Sequence, residues 1–190
     1  KGKMFKGIDK SCIGIDQGDF YPDIGLFYNK ILKGPNKIIG LLSARLFGFK
    51  GIKKTIEQNP QFEKYNIKIG PILSGCYTNV TKLFNNPSLG ECKFIRLKQF
   101  IINNIKKIKK GNKKIIFIGD NGQGDEYTAK RLLEDTFTRP FIKHIYIHNV
   151  RNKNSQSIFD LNLFLSVWTL NKFPINRKSF TYFNTYNEIL

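Results

Sequence analysis

Ile115-Ile116-Phe117-Ile118-Gly119-Asp120-Asn121-Gly122-Gln123-Gly124-Asp125 is an apolar run that opens into a glycine-rich loop carrying two acids. Consecutive apolar residues closed by turn formers read as a strand covered on both faces, as in a parallel sheet. Glu126 to Asp135 reads as the helix that follows. In a parallel sheet the ligand crevice opens beyond the carboxyl ends of the strands, so Asp120 stands at its rim and the loop can fold Asp125 back towards it. Magnesium is bound through one or two carboxylates together with waters and substrate phosphate, which makes Asp120 and Asp125 candidate Mg2+ ligands. A plain strand-to-helix turn is the competing reading, because Asn-Gly and Gly-Asp are ordinary turn residues. A dinucleotide cofactor fits worse, since the glycines at 119, 122 and 124 do not make G-x-G-x-x-G and two carboxylates repel a pyrophosphate.

Working outward, Phe94, Leu97, Ile101, Ile105 and Ile108 mark one face of a long helix that stops at Gly111, preceded by a turn over Asn85 to Glu91. Ile67 to Leu73 reads as a strand, residues 49 to 65 as amphipathic helix broken at Pro60, and Ile38-Ile39-Gly40-Leu41-Leu42 as a strand ending in Ser43-Ala44-Arg45. Ile24, Phe27, Ile31 and Leu32 recur at helical spacing before Gly34-Pro35. Downstream, Ile142 to Val150 is a further strand. The pattern predicts one domain over residues 1–190: a loop or linker at 1–22, an α/β core at 23–150, and at 151–190 a polar loop followed by a helical segment. Strands alternating with helices imply a mainly parallel sheet in an α/β fold.

With 190 residues, 41% of them hydrophobic, the chain can bury a sizeable core. No apolar run approaches the roughly 18 residues that span a bilayer, and the start lacks signal-peptide order. Met4 lies inside a basic stretch, so the natural start is expected upstream. Cys12, Cys76 and Cys92 are odd in number and contain no C-x-x-C pair, which predicts reduced thiols, no zinc ribbon and a cytoplasmic location. The Asn79-Val80-Thr81 sequon is of a kind that arises by chance in an Asn-rich chain. A net charge of +18 invites a polyanion. However, Arg45, Arg96, Arg131, Arg139, Arg151 and Arg177 are the only arginines, and base-specific contacts favour Arg, so no sequence-specific nucleic-acid partner is expected. The lysine run from Lys106 to Lys114 reads as a solvated helix C-terminus. His144 and His148 share a strand face but stand roughly 13 Å apart, too far for one ion.

Two further elements could serve a phosphoryl group. Ser43, at the end of the first strand, can donate its hydroxyl to a phosphoryl oxygen alongside backbone N–H groups such as that of Ala44. Its ordinary reading is a turn or N-cap serine. A lysine early in the helix before Gly119 could hold phosphate and acids together, Lys98 being the first choice and Lys93 the alternative. Its ordinary reading is surface decoration.

Strand ending in Ser, helix with Lys, then strand ending in Gly-Asp with a second Asp: in this order the sequence resembles the second to fourth motifs of the haloacid dehalogenase-like (HAD) superfamily. Phe117 to Asp125, Ile145-Tyr146-Ile147-His148-Asn149-Val150, Asp19-Phe20-Tyr21-Pro22 and Phe180 to Tyr186 look like a eukaryotic branch related to the actin-patch phosphatidate phosphatase catalytic domain. The resemblance spans roughly residues 16 to 186. It implies a Rossmann-like three-layer fold and Mg2+-dependent phosphohydrolase activity through an aspartyl-phosphate. It also implies Asp120 and Asp125 on the metal, and Ser43, Ala44 and Lys98 on the phosphate of a substrate the sequence does not identify. The superfamily's first motif, a strand ending in Asp-x-Asp, has no counterpart here; Cys12 to Asp19 places its acids three apart. The expectation is a central strand and nucleophile external to this chain, supplied by an upstream segment or a second chain. Two apolar sheet edges are then left unpaired. The alternative is a catalytically inactive HAD-like module that binds a protein partner or makes peripheral contact with anionic membrane.

Overall fold

The computed structural model describes residues 23–43, 49–74, 86–121, 124–149, 165–172 and 179–190. The expected loop at 1–22, Ala44, the sequon at 79–81 and the polar stretch after Val150 lie outside the described residues. The elements are α1 (Ile24–Ile31), β1 (Lys37–Ser43), α2 (Phe49–Glu57), α3 (Pro60–Lys64), β2 (Ile67–Leu73), α4 (Asn86–Lys110), β3 (Lys113–Asp120), α5 (Asp125–Glu134), β4 (Ile142–His148), β5 (Leu165–Lys172) and β6 (Ser179–Phe183). Short 3-10 turns cover Arg139–Phe141 and Tyr186–Ile189. The fold is α/β, as the alternation of elements implies.

The six strands form one sheet in the order β2-β1-β5-β3-β4-β6. β1 and β2 are parallel, as are β3 and β4, and β4 and β6. β5 runs antiparallel to both its neighbours, β1 and β3. Five strands therefore end at the same edge of the sheet, and that edge carries Ser43, Asp120 and His148. Burial alternates through β3: Ile116 and Ile118 pack with Phe27, Tyr28, Ile39 and Phe183 on one face, and Ile115 and Phe117 with Leu97, Ile101, Leu132 and Ile145 on the other. Covering both faces is what lets these strands be near-continuous hydrophobic runs. The turns into β2 and β3 are made by Asn66 (φ 52°) and Asn112 (φ 46°), in the left-handed conformation that asparagine tolerates.

Four expectations are corrected. Among the described residues of the tail, expected to be helical, 165–172 and 179–183 are strands, β5 and β6. β5 fills the place between β1 and β3 that was expected to need an external strand, so those two edges are paired within this chain. Val167, Trp168 and Thr169 favour a strand, and two open ladders on either side override any helical tendency of the apolar run. Of the turn expected over Asn85 to Glu91, Asn86 to Glu91 are the start of α4 and Asn85 lies outside the described residues; Pro87 stands where a missing N–H costs nothing. Finally, Cys92 is disulfide-bonded, and the argument from reduced thiols to the cytoplasm lapses; Cys12 and Cys76 lie outside the described residues. Among the described residues no helix is long and apolar enough to cross a membrane.

His144 and His148 sit on the β4 ladder as neutral packing groups. His144 stacks on Tyr146 at 4.0 Å between centroids, and its Nε2 meets Thr181 Oγ1 at 2.9 Å. Burial, with Lys143 nearby, pushes its pKa down from 6.5 to about 4. His148 stacks on Phe183, and burial lowers its pKa too, partly opposed by the hydrogen bond to Asn184 O. A histidine whose folded pKa is depressed stabilises the fold fully above its unfolded pKa, and that contribution is lost as pH falls. The melting temperature is expected to drop between about pH 6.5 and pH 4, and His144→Gln should flatten that part of the profile. Scanning calorimetry at half-unit pH steps checks this; equal slopes for the two proteins would refute it.

Candidate functional site

The site is assembled where β3 gives way to α5. Asp125 is the first residue of α5, a position where the helix dipole favours a negative charge. Gly124 before it takes φ 80°, so the chain turns sharply enough to point the Asp125 side chain back under the end of β3. That side chain is fully buried. One carboxylate oxygen accepts from Lys93 Nζ, itself fully buried on α4, and the other accepts from the backbone N–H of Asp120 at 3.1 Å. A lysine with no solvent exposure is found only where it is paired.

Two glycines make this approach sterically feasible. A Cβ on Gly119 would stand 2.5 Å from Asp125 Cβ and 2.6 Å from its Oδ2. A Cβ on Gly90 would stand 2.4 Å from Gly124 O. Thr128 fastens the same contact: its hydroxyl lies 3.0 Å from Gly90 O and 3.1 Å from Gly124 O. α4 and α5 are thereby locked together beneath the candidate site.

Above this base, the rim is sewn together by asparagines. Asn121 N–H donates to His148 O at 3.1 Å, and Asn121 Nδ2 reaches Asn149 Oδ1 at 3.4 Å. Asn149 N–H donates to Phe183 O at 2.8 Å, and Asn149 Nδ2 to Asn184 Oδ1 at 3.1 Å. His148 Nε2–H donates to Asn184 O at 2.8 Å, which fixes its tautomer. The sequence reading missed Asn149 and Asn184. Their signal was available: an amide directly after a strand can close a turn or join neighbouring strand ends.

Ser43 is fully buried at the end of β1. The registers place it opposite Leu165 of β5, and Val167 opposite Ile118 of β3, so Ser43 and Asp120 stand level on either side of β5. Two interstrand spacings put their backbones about 10 Å apart. Ser43 and Asp120 are thus brought to one edge, and Asp125 lies directly beneath Asp120. Lys98 is not there. It pairs with Asp135 at 2.6 Å and lies over Phe94 and Phe137. From Lys93 it is about 7.5 Å further along the helix axis and turned about 140° around it, so it faces away. Hydrogen bonds from Lys98 and Thr138 outweigh the burial that raises the Asp135 carboxyl and hold it below its usual range. Of the two lysines, Lys93 is the one that meets the acids.

As a metal centre the arrangement is sparse. Among the described residues no group of three His, Cys, Asp or Glu converges. Both Asp125 oxygens already accept hydrogen bonds and the side chain is fully buried, so contact through water fits its surroundings better than direct ligation. Asp120 is half-buried at the strand end. One carboxylate with waters and phosphate oxygens meets the needs of Mg2+. Compared with protein-family models, curated proteins and solved structures, the chain matches none.

Lys93→Met leaves the Asp125 charge buried without its partner and is expected to cost about 3 to 5 kcal/mol, whereas Lys98→Met removes a partly exposed pair worth at most about 1 kcal/mol. Urea denaturation of both variants checks the ranking. Equal losses would contradict the placement of Lys93.

Proposed function

We propose that this chain is the larger part of a magnesium-dependent phosphohydrolase of the HAD-like, Rossmann-like type, acting through an aspartyl-phosphate whose nucleophile lies outside this chain. The observation that carries the reading is the buried Asp125 carboxylate clamped by Lys93 and by Asp120 N–H at the end of β3, where Asp120 stands level with Ser43 across the sheet. A gap of about 10 Å between the Ser43 and Asp120 backbones suits a phosphoryl group held from one side by a hydroxyl and from the other through a cation. Asp120 would hold Mg2+ directly and Asp125 through water; the ion would supply charge neutralisation for the transferring group. Ser43 would orient one phosphoryl oxygen. Engaged with Asp125, Lys93 would act as a positioning residue that keeps Asp125, and through it the Asp120 backbone, in place. The external carboxylate would attack phosphorus as the ester P–O bond breaks, and water would then cleave the acyl-phosphate.

A second reading, a binding module without catalysis, is favoured by one observation. β5 fills the strand position next to both Ser43 and Asp120, where the HAD-like reading needs a nucleophile-bearing strand. Contact of the lysine surface with anionic membrane belongs to that reading.

The two are separated by calorimetric titration of the 190-residue chain with inorganic phosphate, with and without Mg2+, and by turnover of a generic phosphomonoester by a form carrying an upstream Asp-x-Asp strand. The enzyme reading expects Mg2+-dependent phosphate binding by the chain itself, at least about tenfold weaker in Asp120→Asn, and Mg2+-dependent hydrolysis abolished by the same change. Phosphate binding indifferent to both Mg2+ and Asp120→Asn would overturn it.

A further inference from the structure

The two outer strands of the sheet differ in a way the candidate site does not explain. An edge strand presents unpaired N–H and C=O groups and is normally guarded by charge or proline. β2 carries both, with Lys68 and Pro71 exposed. β6, at the other edge, has β4 as its strand neighbour and reads Ser179-Phe180-Thr181-Tyr182-Phe183, without charge or proline. Thr181 and Phe183 point into the packing around His144 and Phe27. Phe180 and Tyr182 point to the other face, where they remain 38% and 52% exposed with their rings 5.0 Å apart.

Between those rings and α5 runs a groove of about 630 Å3, lined also by Tyr127, Leu133, Glu126 and Glu134. Lys130, its one cation, reaches Glu134 at 3.9 Å with both side chains mostly exposed, a pair too weak to close the groove. Glu126 is fixed at the rim by Tyr182 OH at 2.8 Å. In a protein of net charge +18, this is an aromatic surface bordered by carboxylates.

We propose that β6 and this groove accept an extended peptide segment that carries apolar and cationic residues in turn at every second position. The segment adds to the sheet as a further strand alongside β6, bonding to its outer backbone groups. The period of two sets those positions over the groove, apolar ones against Phe180 and Tyr182 and cationic ones against Glu126 and Glu134, and turns the residues between them to the other face. Charge selects this occupant: an acidic segment meets the two glutamates. A second copy pairing across β6 would set the same glutamates against one another. The lysines elsewhere are screened beyond about 8 Å at physiological ionic strength, so the local carboxylates decide. The inference is independent of the phosphohydrolase reading.

The test uses three fluorescein-labelled octapeptides, Ser-Val-Ser-Lys-Ser-Val-Ser-Lys, its counterpart with Glu for Lys, and Ser-Val-Lys-Ser-Ser-Val-Lys-Ser, which has the first peptide's composition but turns Val and Lys to opposite faces; binding is measured by anisotropy with hydrogen exchange of the β6 amides. The first peptide is expected to bind best and to slow exchange at 179–183. Glu126→Lys with Glu134→Lys, both at exposed positions, should weaken it about tenfold or more and favour the Glu peptide. The proposal is overturned by unprotected β6 amides, by equal affinity for the first and third peptides, or by indifference to charge reversal. Concentration-dependent protection of β6 without peptide would assign the edge to a second copy instead.

Discussion

Lys93 and Asp125 share a buried ion pair, and the geometry at the end of β3 depends on it. Two charges withdrawn from water cost several kcal/mol each unless they meet each other and their remaining hydrogen-bonding capacity is used. Asp125 uses its second oxygen on the Asp120 N–H, so one side chain fastens the start of α5 to the end of β3 and, through Lys93, to α4. The requirement then spreads through sterics. The carboxylate can lie against the strand only because Gly119 has no side chain, and α4 can approach the start of α5 only because Gly90 has none. A glycine-rich sequence around Asp120 is therefore read physically as space made for an acid, with the left-handed turn at Gly124 aiming it.

The sheet has a second dependency. β1 with β2, and β3 with β4 and β6, are two parallel blocks whose hydrogen-bond ladders meet at β5. The level placement of Ser43 and Asp120 is a consequence of how β5 registers with both. β5 supplies this by running against its neighbours, so the edge where the other strands end is where β5 begins. Ser43 and Asp120 thus flank the first residue of β5, not the last residue of a parallel strand.

Much of this was legible beforehand, and the failures have physical causes. The first helix and the strands β1 to β4 follow from period and punctuation: Ile24, Phe27 and Ile31 at helical spacing, and the apolar runs at 38–42 and 115–118 closed by turn formers. β5 was not legible because a short apolar run fits helix or strand alike, and the deciding factor, two open ladders, is remote in sequence. Lys93 ranked second to Lys98 because Pro87 and Gly90 look like breakers. With the helix begun too late, the lysine that counted as early was Lys98. Pro87 belongs in a first turn, and Gly90 marks a close helix contact. That the loop folds Asp125 back to the end of β3 was readable from its residues; the engagement of both Asp125 oxygens was not, since Lys93 comes from a helix more than thirty residues upstream.

The two ends of the sheet also differ in chemistry, and the difference bears on how a phosphoryl group could be held. Lys107, Lys109 and Lys110 close α4, and Lys113 and Lys114 open β3, so cations gather at the end opposite the candidate site. Those at the helix C-terminus are spent in part on its orphan carbonyls and dipole. Lys114 donates to Pro140 O. At the other end stand Asp120, Asp125 and Glu126, and Lys93, paired with Asp125, is fully buried. A bare phosphate would be repelled there, whereas one accompanied by a divalent ion would meet the carboxylate that the ion requires and the hydroxyl of Ser43 across the sheet. On the phosphohydrolase proposal the acid end needs a metal before it can receive a phosphoryl group, and for that reason the proposed magnesium dependence and the proposed phosphate site are one claim rather than two.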